Sequence, residues 1–215
     1  MKEFKQVYPF SGPLHEIPNL IDIHLMHSIE PGDIRHKLGL RDSDPLVYVP
    51  GAGSAFKGKT FVAEIVSEIA AHFKDQPIGF YLAGAIPPDL KGELQDTPKN
   101  AKLYDQEQLP YLEHLRNVKC CNLGVSPTIV ESYGMAILEA QCLGIPMVVF
   151  ARQATPEVIQ EGKNGYLTPA FDIDQIVDKS IAILKNPIPL NPFLGEDLLK
   201  AQSTSIDLWE KILSS

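Results

Sequence analysis

Two lysines and two glutamates have the types and spacings from which chemistry can be built in this chain. Lys57 and Lys59 stand in "GAGSAFKGKT", residues 51 to 60, whose last eight residues satisfy the pattern G-x-x-x-x-G-K-S/T. A Gly-rich turn of that kind, between a strand and a helix, cradles phosphates on backbone N–H groups and a lysine. Glu131 and Glu139 stand either side of Gly134 in "SPTIVESYGMAILEAQCLGIPMVVF", residues 126 to 150. If the intervening chain is mostly helical, the two carboxylates lie roughly 12 Å apart along the axis, at a rise of about 1.5 Å per residue. That is near the span from the sugar to the ribose of a nucleoside diphosphate sugar. A helix beginning near Gly134 presents unpaired N–H groups between the acids, where a diphosphate can sit, and each carboxylate can accept hydroxyl hydrogen bonds. The competing reading is structural, with Glu131 capping the helix and Glu139 on a solvated face.

A true phosphate loop also needs a carboxylate at the end of a neighbouring strand to organise magnesium. The candidate strands end in "FYLAG", "NLGVSP" and "MVVFAR", and none supplies an Asp. The dinucleotide fingerprint fails too, because Gly51 and Gly53 call for a third glycine where the chain has Phe56. Three readings of the segment remain: an anion site built from Gly51, Gly53, a lysine and a helix N-terminus; a plain turn with solvated lysines; and a nucleoside triphosphatase loop.

The elements that must position these residues follow a simple rhythm. Short apolar runs at 46 to 49, 78 to 83, 121 to 125 and 146 to 150 alternate with helix-like stretches, which predicts a mostly parallel sheet flanked by helices, an α/β Rossmann-like domain. In "KTFVAEIVSEIAAHF" the spacing of Val62, Ile65, Ile69 and Phe73 predicts a buried helical stripe. "EQLPYLEHLRN", "YGMAILEAQCLG", "TPEVIQEG" and "DIDQIVDKSIAILK" read as further helices, and residues 86 to 100 as an irregular connection. "NPIPLNP" breaks the chain before a last helix expected to dock through Leu198, Leu199, Ile206, Trp209 and Ile212.

At 215 residues and 44% hydrophobic content, the chain can bury one sizeable core with a trailing element. A formal net charge of -8 argues against a broad nucleic-acid or anionic-membrane surface. Cys120, Cys121 and Cys142 lack the spacing of a closed zinc site and read as core residues, so no metal is expected. Without a leader-like N-terminus or a long apolar run, a cytoplasmic location is expected.

Taken together, these segments resemble the C-terminal, nucleotide-sugar-binding domain of retaining GT-B glycosyltransferases, in particular family 4, also called group 1. The resemblance begins at "IPNLID", similar to the family's I-P-N-G-I/V-D linker with Leu20 for the glycine. It runs through Lys57-Gly58, "FYLAGA", the E-x7-E segment with its Gly-x-Pro, and "TPEVIQEGKNGYLTPAFD". It implies a linker-like segment over 1–22, a donor-binding domain over 23–190 and a C-terminal helix over 191–215, docking on this domain or on a partner domain. It implies a UDP- or GDP-sugar as donor, with Glu139 on the ribose and Glu131 beside the transferred sugar. Ser132, Tyr133, Gly134, Met135 and Ala136 would line the diphosphate or sugar, with Gly51 and Gly53 in the facing turn. Lys57 would contact the diphosphate and, with Glu131, serve catalysis by offsetting charge on the leaving nucleotide. Lys59 would then sit just inside a helix, its match to a phosphate-loop lysine coincidental.

Departures are equally legible. The family places an arginine directly after the glycine, where this chain has Ala52, so Lys59 or Arg152 would have to substitute if geometry permits. The family's Gly-Gly before P-E is here Gln153-Ala154, which narrows a loop expected near the sugar. About 16 residues precede the linker, so the acceptor-binding domain and its catalytic histidine are expected on a partner domain or subunit. None of the six histidines matches that role, and His72 and His114 read as helix-surface residues. The expected chain is a donor-binding domain of a glycosyltransferase, inactive alone, with membrane association only through its partner. A non-catalytic nucleotide-sugar-binding or interaction module is the alternative.

Overall fold

The computed structural model describes residues 19–105, 109–187 and 194–214; the side chains of 194–203 lie outside that description. Six strands form one parallel sheet in the order β3-β2-β1-β4-β5-β6: β1 (Leu46–Val49), β2 (Ile78–Leu82), β3 (Ala101–Tyr104), β4 (Leu123–Ser126), β5 (Met147–Phe150) and β6 (Gly165–Thr168). The central strands β1, β2, β4 and β5 are buried at every position, which is why they read as unbroken apolar runs rather than alternating ones. Tyr48 pairs with Tyr81 and Gly124, and Val149 with Leu167, so the register is continuous across the sheet.

The helices named below are α1 (Ile23–Ser28), α2 (Ile34–Lys37), α3 (Lys59–His72), α4 (Pro88–Glu93), α5 (Tyr111–Lys119), α6 (Met135–Cys142), α7 (Thr155–Val158), α8 (Ile173–Lys185) and α9 (Leu194–Leu213). One core layer joins α1, α2, α5 and α6 to one face of the sheet, through Ile23, Ile34, Leu115, Val118 and Ile137. The other joins α3, α4 and α8 to the opposite face, through Val62, Ile65, Ile69, Leu90 and Ile176. The predicted α3 stripe of Val62, Ile65, Ile69 and Phe73 is buried. Asp172 starts α8 by accepting the N–H of Gln175 at 3.0 Å.

The chain winds outward from β1 through β2 to β3, then returns to place β4 on the other side of β1 and winds outward again through β5 to β6. The loops after β1 and β4 therefore diverge from neighbouring strand ends. Such a reversal opens a crevice beyond the carboxyl ends of the strands.

Several elements differ from the sequence reading. The edge strands β3 and β6 were not expected, and residues 86 to 100 are not simply irregular. Pro88 there starts α4, and a 3-10 turn, Leu94–Asp96, follows it. "TPEVIQEG" is helical only over α7, because Ile159 is already extended. His114 is no surface residue: it is half-buried, its Nδ1 lies 2.6 Å from the Tyr81 hydroxyl, and burial pushes its pKa down. His72 is exposed as expected. On α9, which runs beside α6, Ile206 and Trp209 are 47% and 46% exposed, so the expected docking does not extend to them. Leu198 and Leu199 lie outside the described side chains, as does most of "NPIPLNP". Cys120 and Cys121 are buried free thiols and Cys142 is half-buried, in keeping with core packing. No described helix is long and apolar enough to cross a membrane.

Candidate functional site

The loops after β1 and β4 are stitched together before any side chain meets another. The carbonyl of Phe56 accepts the N–H groups of Ile129 and Val130 at 3.0 and 2.9 Å. Gly58 adopts φ 82°, and a Cβ at this position would collide with the carbonyl oxygen of Pro127. Only glycine meets both demands, the left-handed backbone and the close approach. The consequence is local: Lys57, at the end of a short 3-10 turn, Ala55–Lys57, faces the β4–α6 loop.

There Lys57 Nζ lies 2.7 Å from Glu131 Oε2. Glu131 is only 8% exposed, and its other oxygen accepts the N–H of Gly134 at 3.0 Å. Glu131 thus braces the turn into α6, close to the structural reading, and it also pairs with a lysine, a contact the sequence reading did not include. Gly134 has φ 90° and turns the chain into α6 at Met135. Ile137 and Leu138 donate to the Gly134 carbonyl, so the N–H groups of Met135 and Ala136 are the ones that the helix leaves without an acceptor.

A cleft of ≈ 370 Å³ opens at this point, a volume suited to a small-molecule ligand. Of the candidate site residues, Gly51, Lys57, Glu131, Ser132, Tyr133, Gly134, Met135 and Ala136 line it. Asn19, Pro50, Ser126 and Ile137 line it too and were not anticipated. Asn19 arrives from the segment before α1 and lines the cleft together with Tyr133.

Gly53 and Glu139 are the expected site residues that do not line the cleft. Gly53 is held against the loop after β2, where a Cβ would collide with the Ala85 carbonyl, so packing by itself demands a glycine here. Glu139 lies one turn further along α6, half-buried, accepting the Tyr111 hydroxyl at 2.7 Å. Burial pushes the Glu139 pKa up, and the Tyr111 hydrogen bond partly opposes it. Glu139 is therefore not a solvated face residue, and Tyr111 is a neighbour that sequence reasoning missed.

Lys57 is the one cationic side chain lining the cleft among the described residues. Lys59 pairs with Asp89 at the start of α4, and Arg152 lies over the Phe171 ring, 5.6 Å from its centroid. Neither stands where an arginine after Gly51 would. Ala52 is fully buried in the α3-side core, and its N–H donates to Ala83 at 3.0 Å. Lys57, not Lys59, faces the site, which leaves the triphosphatase reading without its lysine.

A family model described as "Glycosyl transferases group 1" matches residues 32–196. The chain is 21% identical over 198 residues to a GDP-mannose-dependent monoacylated alpha-(1-6)-phosphatidylinositol monomannoside mannosyltransferase of Corynebacterium glutamicum, covering 87% of this chain and 51% of that protein. It is 26% identical over 162 residues to the alpha-D-kanosaminyltransferase of Streptomyces kanamyceticus, covering 72% and 40%. Among solved structures, a sucrose-phosphate synthase of Thermosynechococcus elongatus superposes with a TM-score of 0.70 at 18% identity, covering 99% of this chain and 56% of that one. HepE of Anabaena, in complex with UDP and glucose, superposes with a TM-score of 0.69 at 18% identity, covering 93% and 56%. The chain thus spans about half the length of these relatives.

Proposed function

The chain belongs to the group 1 glycosyl transferases, and on that footing we propose that it is the donor-binding half of a retaining GT-B enzyme. In this reading the cleft takes a nucleoside diphosphate sugar. The observation that carries it is the Lys57–Glu131 pair, 2.7 Å apart, at the N-terminal mouth of α6. The diphosphate lies against the Gly51 turn, Lys57 and the N–H groups of Met135 and Ala136, where helix-end donors and a cation favour negative charge. Glu131 accepts a hydroxyl of the transferred sugar, and Glu139, once Tyr111 shares or yields its hydrogen bond, accepts the ribose hydroxyls. When the glycosidic bond to phosphate breaks, negative charge collects on the departing diphosphate. Lys57 and the two amides stabilise that charge more than they stabilise the bound donor.

Acceptor binding falls to another domain or subunit, and this chain alone is expected to transfer no sugar. Exposed apolar side chains support such a partner: Leu20 before α1 is 46% exposed, and Ile206 and Trp209 on α9 are exposed to a similar degree. A second reading, a nucleotide-sugar-binding module without catalysis, is favoured by Ala52, whose burial leaves the diphosphate with one cation instead of two. Calorimetric titration with UDP, GDP, UDP-glucose and GDP-mannose tests the shared core of both readings. Dissociation constants from roughly 10 µM to 1 mM are expected. No binding of any of them at millimolar ligand would overturn both.

A further inference from the structure

Gln153 is one of two non-glycine residues with a left-handed backbone among the described residues, at φ 48°. Side chains other than those of glycine, asparagine and aspartate rarely accept that conformation, and it persists only where the surroundings enforce it. Here they do. Thr155, buried in the same turn, accepts the N–H of Arg152 at 2.8 Å and donates to the Phe150 carbonyl at 2.7 Å, which pins both sides of the turn. The strained backbone delivers one contact to the cleft: Gln153 Oε1 accepts the backbone N–H of Glu131 at 2.6 Å. Gln153 does not itself line the cleft.

Glu131 is therefore held at three points from three elements. Lys57 takes one carboxylate oxygen, Gly134 N–H takes the other, and Gln153 takes the backbone. The first two contacts are also those that a bound donor would compete for or reorganise. The third is independent of any ligand.

We propose that Gln153 is a positioning residue that fixes Glu131 for the transferred sugar through this 2.6 Å bond to its backbone, an inference that rests on the sugar-binding reading of Glu131. The left-handed turn is retained with glutamine because the side chain supplies an acceptor that glycine lacks.

The test compares Q153G, which keeps the backbone angle without strain, with Q153E, which keeps an acceptor oxygen, in the 215-residue chain. Amide exchange in the free protein reads the contact directly. In Q153G the Glu131 and Gly134 amides should both exchange roughly fivefold to tenfold faster, because loss of the anchor loosens the carboxylate that holds Gly134. Its midpoint of unfolding should stay near that of the parent, and Q153E should restore slow exchange. Faster exchange at Glu131 alone, or no rescue by Q153E, overturns the proposal. Affinity supplies the second readout. Q153G should lose several-fold in binding UDP-glucose or GDP-mannose while UDP and GDP bind within about twofold of the parent. Equal losses for sugar nucleotides and free diphosphates overturn the assignment to the sugar side. If the parent binds none of these ligands, the proposed function fails, and the exchange pattern still decides whether Gln153 anchors Glu131.

Discussion

Replacing Lys57 by alanine should harm the protein in two separable ways. The first is stability. Lys57 Nζ is 2.7 Å from a carboxylate that is only 8% exposed, and its removal leaves Glu131 with one hydrogen bond from Gly134 to that carboxylate. Breaking a fully buried pair costs about 3 to 5 kcal/mol, but the lysine side chain is 34% exposed, so water can reach the abandoned charge. A cost of about 1 to 2 kcal/mol is the expected compromise. The second is affinity. One charge-assisted contact to a diphosphate is worth about 1.5 to 3 kcal/mol, which predicts a loss of roughly tenfold to a hundredfold in affinity for UDP-glucose or GDP-mannose, whose sugar releases Lys57 from Glu131. Lys59→Ala is the matched control. Its partner Asp89 is 58% exposed, so water screens this surface pair and its loss should barely change stability, and the Lys59 ammonium lies outside the cleft. Urea denaturation and calorimetry on both variants, with and without magnesium, measure these quantities. A greater affinity loss for Lys59→Ala, together with strong magnesium dependence, would refute the reasoning and return the loop to the triphosphatase class.

Three further outcomes follow from the same geometry. Glu139→Ala should weaken UDP or GDP binding about tenfold or more, whereas Glu131→Ala, which removes the proposed sugar contact and releases Lys57, should leave free diphosphates bound at least as tightly as by the parent; equal losses measured by calorimetry would contradict these roles. Ala52→Arg, which puts back the arginine of the family pattern, should instead destabilise the fold by about 3 kcal/mol or more, because its side chain enters the α3-side core; an unchanged urea midpoint would show that the arginine had found the cleft. Glu139 has a folded-state pKa raised from 4.5 by burial, so its protonated form is favoured by folding and stability should fall as pH rises from 4.5 through the folded value. Glu139→Gln should flatten that part of the stability profile, and an unchanged slope in urea midpoints would count against a buried Glu139.

The parts of the site legible in the sequence are those carried by local pattern. Glu131, Gly134 and the start of α6 sit within a few residues of one another, and the largely apolar run "MAILEAQCLG", closed by Gly144 and Pro146, marks the helix that follows. Lys57-Gly58 was legible for a similar reason, as a glycine-rich turn between an apolar run and an amphipathic helix. What escaped was fixed by tertiary approach. Tyr111 reaches Glu139 from α5, Asn19 reaches the cleft from the segment before α1, and Gln153 reaches Glu131 across 22 residues of chain. The edge strands escaped because "AKLY" and "GYLT" lie at the margins of the sheet and are only partly buried. Ala52 is the instructive intermediate case. Its type showed that a guanidinium was missing, but only its burial shows that the backbone here aims position 52 at the core.

The charge balance of the cleft ties these observations to how such a domain would work. Lys57 and Glu131 are opposite in sign and 2.7 Å apart, so before any ligand arrives the pair presents little net charge. Attraction of a diphosphate then rests on the first turn of α6, a partial positive charge of about half a unit, and on Lys57 once Glu131 turns to a sugar hydroxyl. In the proposed site the sugar is part of the switch: a hydroxyl that satisfied Glu131 would free Lys57 for phosphate. This order predicts that UDP-glucose or GDP-mannose binds at least as tightly as the corresponding free diphosphate, although the diphosphate carries more negative charge. A simple cationic pocket would give the reverse. Calorimetry of each pair at two salt concentrations decides the matter, because the reverse order, with diphosphate affinity falling steeply as salt rises, would place free positive charge in the cleft and break the proposed exchange between Lys57 and Glu131.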